Sequence, residues 1–173
     1  MPLTMSHSSV DAYVRSLNAL SAIIDKAAEH AGAKKFDPNI YCAMRLRPDM
    51  FAFARQVQVA CDQAKNAASR LADVEPPKYE DHEATLADLK ARIAKTVAHL
   101  QGLDRKAIDA SADRDIVFPL GPNKMKMPGA DYLTQFSLPN FYFHVTAAYA
   151  ILRYAGVDLA KRDFLGAVQM TPA

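Results

Sequence analysis

The segment NFYFHVTAAYAILRYAGV, residues 140–157, is hydrophobic on nearly every side when wound as a helix. Such a helix has no face to give to water, so it is either buried among neighbours or covered by another subunit. The longest uninterrupted apolar runs, such as Ala147–Leu152, are far short of a membrane span, so those neighbours are expected to be protein. The rest of the chain therefore has to supply helices or sheets with one apolar face each.

It supplies them at helical spacing. Val10, Tyr13, Val14, Leu17, Leu20 and Ile24 predict a first helix from about Ser8 to Ala31, with Ser8 and Asp11 as a capping box and Gly32 as its stop. Asp37-Pro38, a cap followed by proline at the first helical position, predicts a short helical turn over Pro38–Ala43. Ala54, Val57, Cys61, Ala64, Ala68 and Leu71 share one face of a second helix, read from Pro48 to Ala72, and their small size predicts a close helical neighbour. Pro76-Pro77 ends that region in a stiff, extended linker. Leu86, Leu89, Ile93, Val97 and Leu100 mark a third helix ending at Gly102, with Asp88, Lys90, Arg92 and Lys95 on its wet face.

Between Asp115 and Pro128 the period changes. Ile116, Phe118 and Leu120 alternate with other residues, Gly121-Pro122-Asn123 marks a turn, and Met125 and Met127 alternate with lysines, which predicts an edge hairpin. A last helix runs from about Ala130 to Tyr154, with a kink near Leu138 because Pro139 cannot donate and crowds the preceding turn. Gly156 ends it, and the tail DLAKRDFLGAVQM is too short for a further domain. One mainly all-α domain over residues 1–173 is expected, a four-helix bundle with a small β-hairpin before its last long helix.

Bulk properties narrow the function. Half the residues are hydrophobic and 23% are charged, which fits an ordinary globular protein. A net charge of +2 without a run of like charges argues against a nucleic-acid partner. The N-terminus has no charged stretch leading into an apolar one, so no secretory signal is read and a cytoplasmic, membrane-free protein is expected. Cys42 and Cys61 form no C-x-x-C pair and are read as small core residues.

Candidate chemistry centres on His144. It shares a helical face with Phe141, Ala148 and Leu152 and so points inward, with Asn140 one turn earlier as a potential hydrogen-bonding companion. It reads either as a metal ligand or pocket acid/base, or as a core histidine satisfied by a polar neighbour. Arg55, Gln58, Asp62 and Lys65 form a polar stripe on the second helix, either a solvated face or the border of a cavity shared with His144. His7, His30, His82 and His99 show no ligand spacing, and His7, His30 and His99 are read as solvent-facing. No Walker loop, G-x-G-x-x-G or G-x-S-x-G occurs.

The stretches RPDMFAFARQVQVACDQAK, the hairpin with its following GADYL, and LPNFYFHVTAAYAILRYAGV with the trailing KRDFLG resemble an uncharacterised domain-of-unknown-function family within the DinB-like superfamily. The resemblance implies an up-down-down-up four-helix bundle, often dimeric. It also implies a site where relatives hold zinc or nickel with three histidines, one from the second helix and an H-x-x-x-H pair on the last. Carried across, His144 matches the first histidine of the pair, Ala148 occupies the second, and the helix-two position falls on Gln58 or a near neighbour. That set is a poor match to three protein ligands, so no metal cofactor is expected. Two readings follow. In the first, the chain is a small-molecule-binding or interaction module with a degenerate metal site, and His144, Asn140, Gln58, Asp62 and Tyr149 line a pocket. The aromatic helix, with Tyr142, Phe143 and Tyr154, then pairs with a second copy in a homodimer. In the alternative, the chain is a transferase or isomerase acting on a thiol or other small molecule, with His144 as base or as one ligand of a weak zinc or nickel site.

Overall fold

The computed structural model describes residues 3–168, 170 and 171; parts of the N-terminal and tail segments read above (1, 2, 169, 172 and 173) lie outside them. The four long helices are α1 (Ala12–Lys34), α2 (Phe53–Leu71), α3 (Leu86–Gln101) and, after shorter elements, α6 (Leu138–Tyr154). Between α3 and α6 come a short helix α4 (Arg105–Asp109), strands β1 (Asp115–Leu120) and β2 (Asn123–Pro128), and the single turn α5 (Gly129–Asp131). A short α7 (Lys161–Leu165) closes the chain. Among the described residues no helix is long and apolar enough to cross a membrane.

The polar contacts fix the directions of the helices. Arg92 of α3 meets Asp62 of α2 at 3.0 Å and His99 meets Ser69 at 2.8 Å, each pair thirty residues apart, so α2 and α3 run parallel. Residues 72–85 must therefore return along α2. They do so as an extended strap, whose Pro77, Asp81 and Glu83 meet Lys65, Arg55 and Gln58 in turn. Arg70 reaches Tyr132 and Gln56 reaches His144, which makes α6 antiparallel to α2. Asp25 pairs with Lys90, and Asp11 with Arg105 just beyond α3, so α1 is antiparallel to α3. Tyr13 meets Ser137 at the start of α6 and His30 lies beside Gly156 at its end, so α1 and α6 run parallel. This is the up-down-down-up bundle, with α1 and α2 on its diagonal and the core between all four.

The helix limits differ from the periodicity for local reasons. The first helix begins near Met5, because Thr4 Oγ1 accepts from His7 N (3.2 Å) and acts as the cap. Ser8 and Asp11 lie inside the helix: Ser8 Oγ donates to Thr4 O, and Asp11 pairs with Arg105. The chain passes through a π-helical turn at His7–Asp11 before α1. Gly32 continues the helix, and Lys35, at φ 59°, ends it in the left-handed conformation usually left to glycine. Pro48 does not open α2. It sits second in a turn closed by Met50 N to Arg47 O, and α2 starts where Phe53 N bonds Met44 O at 2.8 Å. The Pro38–Ala43 turn forms as a 3-10 helix capped by Asp37, and Thr85 with Asp88 makes a capping box for α3.

The hairpin pairs Ile116 with Met127 and Phe118 with Met125 around Gly121-Pro122, where Gly121 takes φ 58° as a two-residue turn demands. Gly129 follows it at a crossing so tight that a Cβ there would stand 2.0 Å from Ser111 O. The irregularity expected around Pro139 is a π-helical turn at Tyr132–Ser137, and Pro139 itself lies in the first turn of α6. One wide turn takes up the missing donor and the ring's bulk, and the helix continues through it.

Candidate functional site

His144 is buried against α2, as its helical face dictates. Its Nδ1 lies 2.7 Å from Oε1 of Gln56, a side chain that is itself 1% exposed. Phe51 stacks on the imidazole with ring centres 6.3 Å apart, and Phe143 packs edge-on at 5.2 Å. Burial pushes the imidazole pKa down, and the nearby Arg55 charge pushes it the same way, so the ring is neutral near pH 7. A neutral ring facing an amide oxygen donates from Nδ1, which leaves Nε2 as its basic nitrogen. Nε2 has no protein partner among the described residues and is not sealed from solvent.

Of the other side chains read as pocket residues, Gln58 and Asp62 join a polar network linked to His144. The Arg55 guanidinium lies over the Phe51 ring at 5.8 Å, then binds Gln58 Oε1 (3.2 Å) and Asp81. Gln58 donates to Glu83 at 2.8 Å. Asp81, Glu83 and Asp62 converge on Arg92 at 3.0, 2.9 and 3.0 Å. Asn140 and Tyr149 stand apart: Asn140 Nδ2 donates to Phe136 O at 2.9 Å, and Tyr149 packs on Phe164 of α7.

Arg92 corrects the reading of α3. Its residue is 4% exposed, although the charged face around it suggests solvent. Besides three carboxylates it donates to Glu80 O at 2.9 Å and lies over the Tyr79 ring, and its Nε is the one buried side-chain polar atom left without a partner among the described residues. Burial opposes the guanidinium charge, but the Glu83 bond and the Asp62 charge outweigh it and hold the pKa above its ordinary value. Burial likewise raises Glu83, yet Arg92, its own backbone and Gln58 bring the carboxyl below its usual range. Lys65, 4% exposed, donates to Pro77 O at 2.6 Å and meets Asp62 at 3.3 Å, so Gln58 and Lys65 of the α2 stripe are buried beneath the strap while Arg55 and Asp62 stay partly open. Lys65 and Lys95 lie over Tyr79 at 4.5 and 4.2 Å, so three cations surround one ring. Beneath them Cys61 is fully buried, and burial raises its thiol to about 12, an inert core sulfhydryl. Cys42 is half-buried.

Two histidines read as solvent-facing are half-buried and bonded: His30 Nδ1 to Tyr41 OH at 2.6 Å, and His99 Nε2 to Ser69 Oγ at 2.8 Å. The signal for Arg92 was present, since it follows Leu89 by three and precedes Thr96 by four, on the edge of the apolar stripe. Gln56 and the strap partners Tyr79, Asp81 and Glu83 carried no comparable signal.

Between the C-terminal half of α2, residues 73–80 and the hairpin lies an open cleft of about 920 Å³. Its lining brings together the cations Lys65, Arg70 and Arg114, the carboxylates Asp62, Asp73, Glu75, Glu80 and Asp115, and the β1 residues Ile116, Val117 and Phe118. At the position where the DinB-like relatives are expected to hold a metal, the donors are one imidazole and the Gln56 amide, with Ala148 fully buried one turn on. Three protein ligands are not assembled there, and among the described residues no three His, Cys, Asp or Glu side chains gather as a metal site.

Bundle direction and hairpin are those of a DinB-like helical-bundle protein. A solved DinB family member from Shewanella denitrificans is similar over 97% of this chain and 95% of its own, with 36% identity and a TM-score of 0.90. Residues 5–165 match the family described as Domain of unknown function (DUF1993), and the chain belongs to that family. No curated protein matches it.

Proposed function

We propose that this chain is a small-molecule-binding or interaction module whose superfamily metal site is degenerate. The observation that carries the reading is the 2.7 Å contact of His144 Nδ1 with the buried Gln56 amide, with an alanine where a second ligand would stand. Elemental analysis of untagged, chelator-free protein, repeated on His144→Ala, tests it. Substoichiometric metal in both, with melting unchanged by added zinc or nickel, is the expected result. Near-stoichiometric metal that disappears in the variant would overturn it.

The interaction half of the reading rests on α6. Phe143, Ala147, Ala150 and Tyr154 share one face, and Phe143 and Tyr154 are 59% and 76% exposed. Two exposed aromatics on one face of α6, with Ala147 between them turned into the core, suit a second copy of the same helix. Light scattering coupled to size exclusion checks this, with Tyr154→Asp expected to shift a dimer to monomer.

One feature favours the alternative, a His144-dependent transferase or isomerase acting on a thiol or other small molecule. The ring is neutral near pH 7 and its Nε2 is unengaged, as a general base requires. Thiol-transfer assays with glutathione, bacillithiol and mycothiol, on wild type and His144→Asn, decide it.

A further inference from the structure

We propose that the cleft between α2 and the hairpin binds a small amphipathic acid, its oxyanion gripped by Arg70 and its apolar body laid along β1. The proposal rests on the reading of the chain as a small-molecule-binding module and assigns that role a place away from His144. Arg70 lines the cleft half-buried, and its Nη1 donates to Tyr132 OH at 3.0 Å. Tyr132 is 1% exposed and wedged against Phe118 and Phe136, so it holds the guanidinium in one orientation without neutralising it. No carboxylate among the described residues pairs with Arg70, and the rest of its five-donor fork is unused.

Of the other cations that line the cleft, Lys78 and Lys124 are flexible point charges, while Arg114 and Lys65 are already engaged. Arg114 donates to the α2 carbonyls of Arg70 (3.1 Å) and Leu71 (2.6 Å) and pairs with Asp73 at 2.6 Å, while Lys65 is taken by Pro77 and Asp62. Arg70 is thus the oriented fork with spare donors, and planar forks match carboxylate and phosphate oxygens in pairs. Across the cleft, β1 turns Ile116 and Phe118 into the core and leaves Val117 outward, 56% exposed, while Val74 on the facing segment is 46% exposed. These valines give the cleft apolar surface on two segments near Arg70, and of its carboxylates Asp62, Asp73 and Asp115 are paired with Arg92, Arg114 and Lys126, while Glu75 and Glu80 also line it. A volume of about 920 Å³ lies within the range of small-molecule sites, roughly 300–1,000 Å³. An oriented guanidinium with spare donors beside exposed valines calls for a ligand with an oxyanion at one end and an apolar body.

Titrating the ¹⁵N-labelled full chain with decanoate, decyl phosphate and decanol, each below its micelle concentration, tests the assignment. Saturable shifts confined to Val74, Val117 and their neighbours are expected with both acids, and decanol should bind about tenfold more weakly or worse. Arg70→Gln should weaken both acids about tenfold while leaving decanol unchanged. Val117→Glu, at an exposed strand position that does not bear on folding, should abolish acid binding even where the loss of the Tyr132 contact destabilises the first variant. The tighter of the two acids then names the headgroup. Acid binding that survives both substitutions, equal affinity for decanol, shifts elsewhere on the surface, or no saturable binding of either acid would overturn the proposal. The metal and His144 measurements read a different part of the bundle, so either conclusion can fail alone.

Discussion

Replacing Arg92 with methionine keeps the aliphatic stem and removes the charge that Asp62, Asp81, Glu83 and the Glu80 carbonyl share. Removing one partner of a fully buried ion pair costs about 3–5 kcal/mol, chiefly because the other charge is stranded. Here Asp62 and Asp81 are 26% and 38% exposed and can recover water, whereas Glu83, 11% exposed, remains enclosed. The expected loss is therefore about 2–4 kcal/mol, with the Asp81 share discounted for solvent screening. For a chain of this length, 1 kcal/mol corresponds to roughly 2–4 °C in Tm, so a fall of about 6–12 °C is expected near the middle of that range. The chain has no tryptophan, so urea unfolding followed by far-UV circular dichroism is the suitable assay. A pH series adds a second readout. The Glu83 carboxyl is held below its ordinary 4.5 in the fold, so the unfolded chain binds more protons in that range. Its contribution is fully present above about 4.5 and is lost as pH falls through the folded value, and the variant should lack that part of the acid limb. A loss under about 1 kcal/mol with an unchanged acid limb would refute the view that Arg92 holds the strap.

His144→Leu should cost about 1–3 kcal/mol in the same assay, because the buried Gln56 Oε1 loses its donor; a near-zero cost would return His144 to the candidates for chemistry alone. Burial depresses the pKa of His144 and of His99, so the unfolded chain binds protons first as pH falls below about 6.5; stability should decline there, and less steeply in His144→Leu, as urea midpoints read between pH 7 and 5. Gly129→Ala drives a methyl into Ser111 O and should cost about 2 kcal/mol or more while displacing hairpin amide signals. Lys35→Gly relieves a left-handed lysine and should raise stability by up to about 1 kcal/mol, measured as an upward shift in urea midpoint.

The bundle was legible because each long helix declares an apolar stripe at its own period, and the hairpin because Ile116 and Phe118 alternate ahead of a Gly-Pro-Asn turn. His144 faced inward as its position among Phe141, Ala148 and Leu152 required. Its hydrogen-bond partner is Gln56 across the helix pair and not Asn140 one turn earlier, because which residue of a neighbouring helix meets a side chain is settled only when the two helices dock. Arg92, His30 and His99 were misjudged for one reason: charged and imidazole side chains are assigned to water unless their partners are in view. Those partners come from the strap, from Tyr41 and from Ser69, contacts that exist only once the chain has folded back. The helix limits slipped where irregular backbone, the π-helical turns and the left-handed Lys35, took over from residue preference.

The return of the strap along α2 also sets an order of assembly. Strap contacts with α2 and α3 join residues 9 to 26 apart, whereas Tyr13 waits for Ser137 across 124 residues and Lys26 for Asp163 across 137. On a growing chain synthesised at about 5–20 residues per second, the strap can clasp its two helices several seconds before α6 exists. During that interval the inner faces of α1 and α2 lie open, and the helix that covers them is the most apolar in the chain. A nascent-chain chaperone, or a neighbouring ribosome's copy of α6, would find its target in that window.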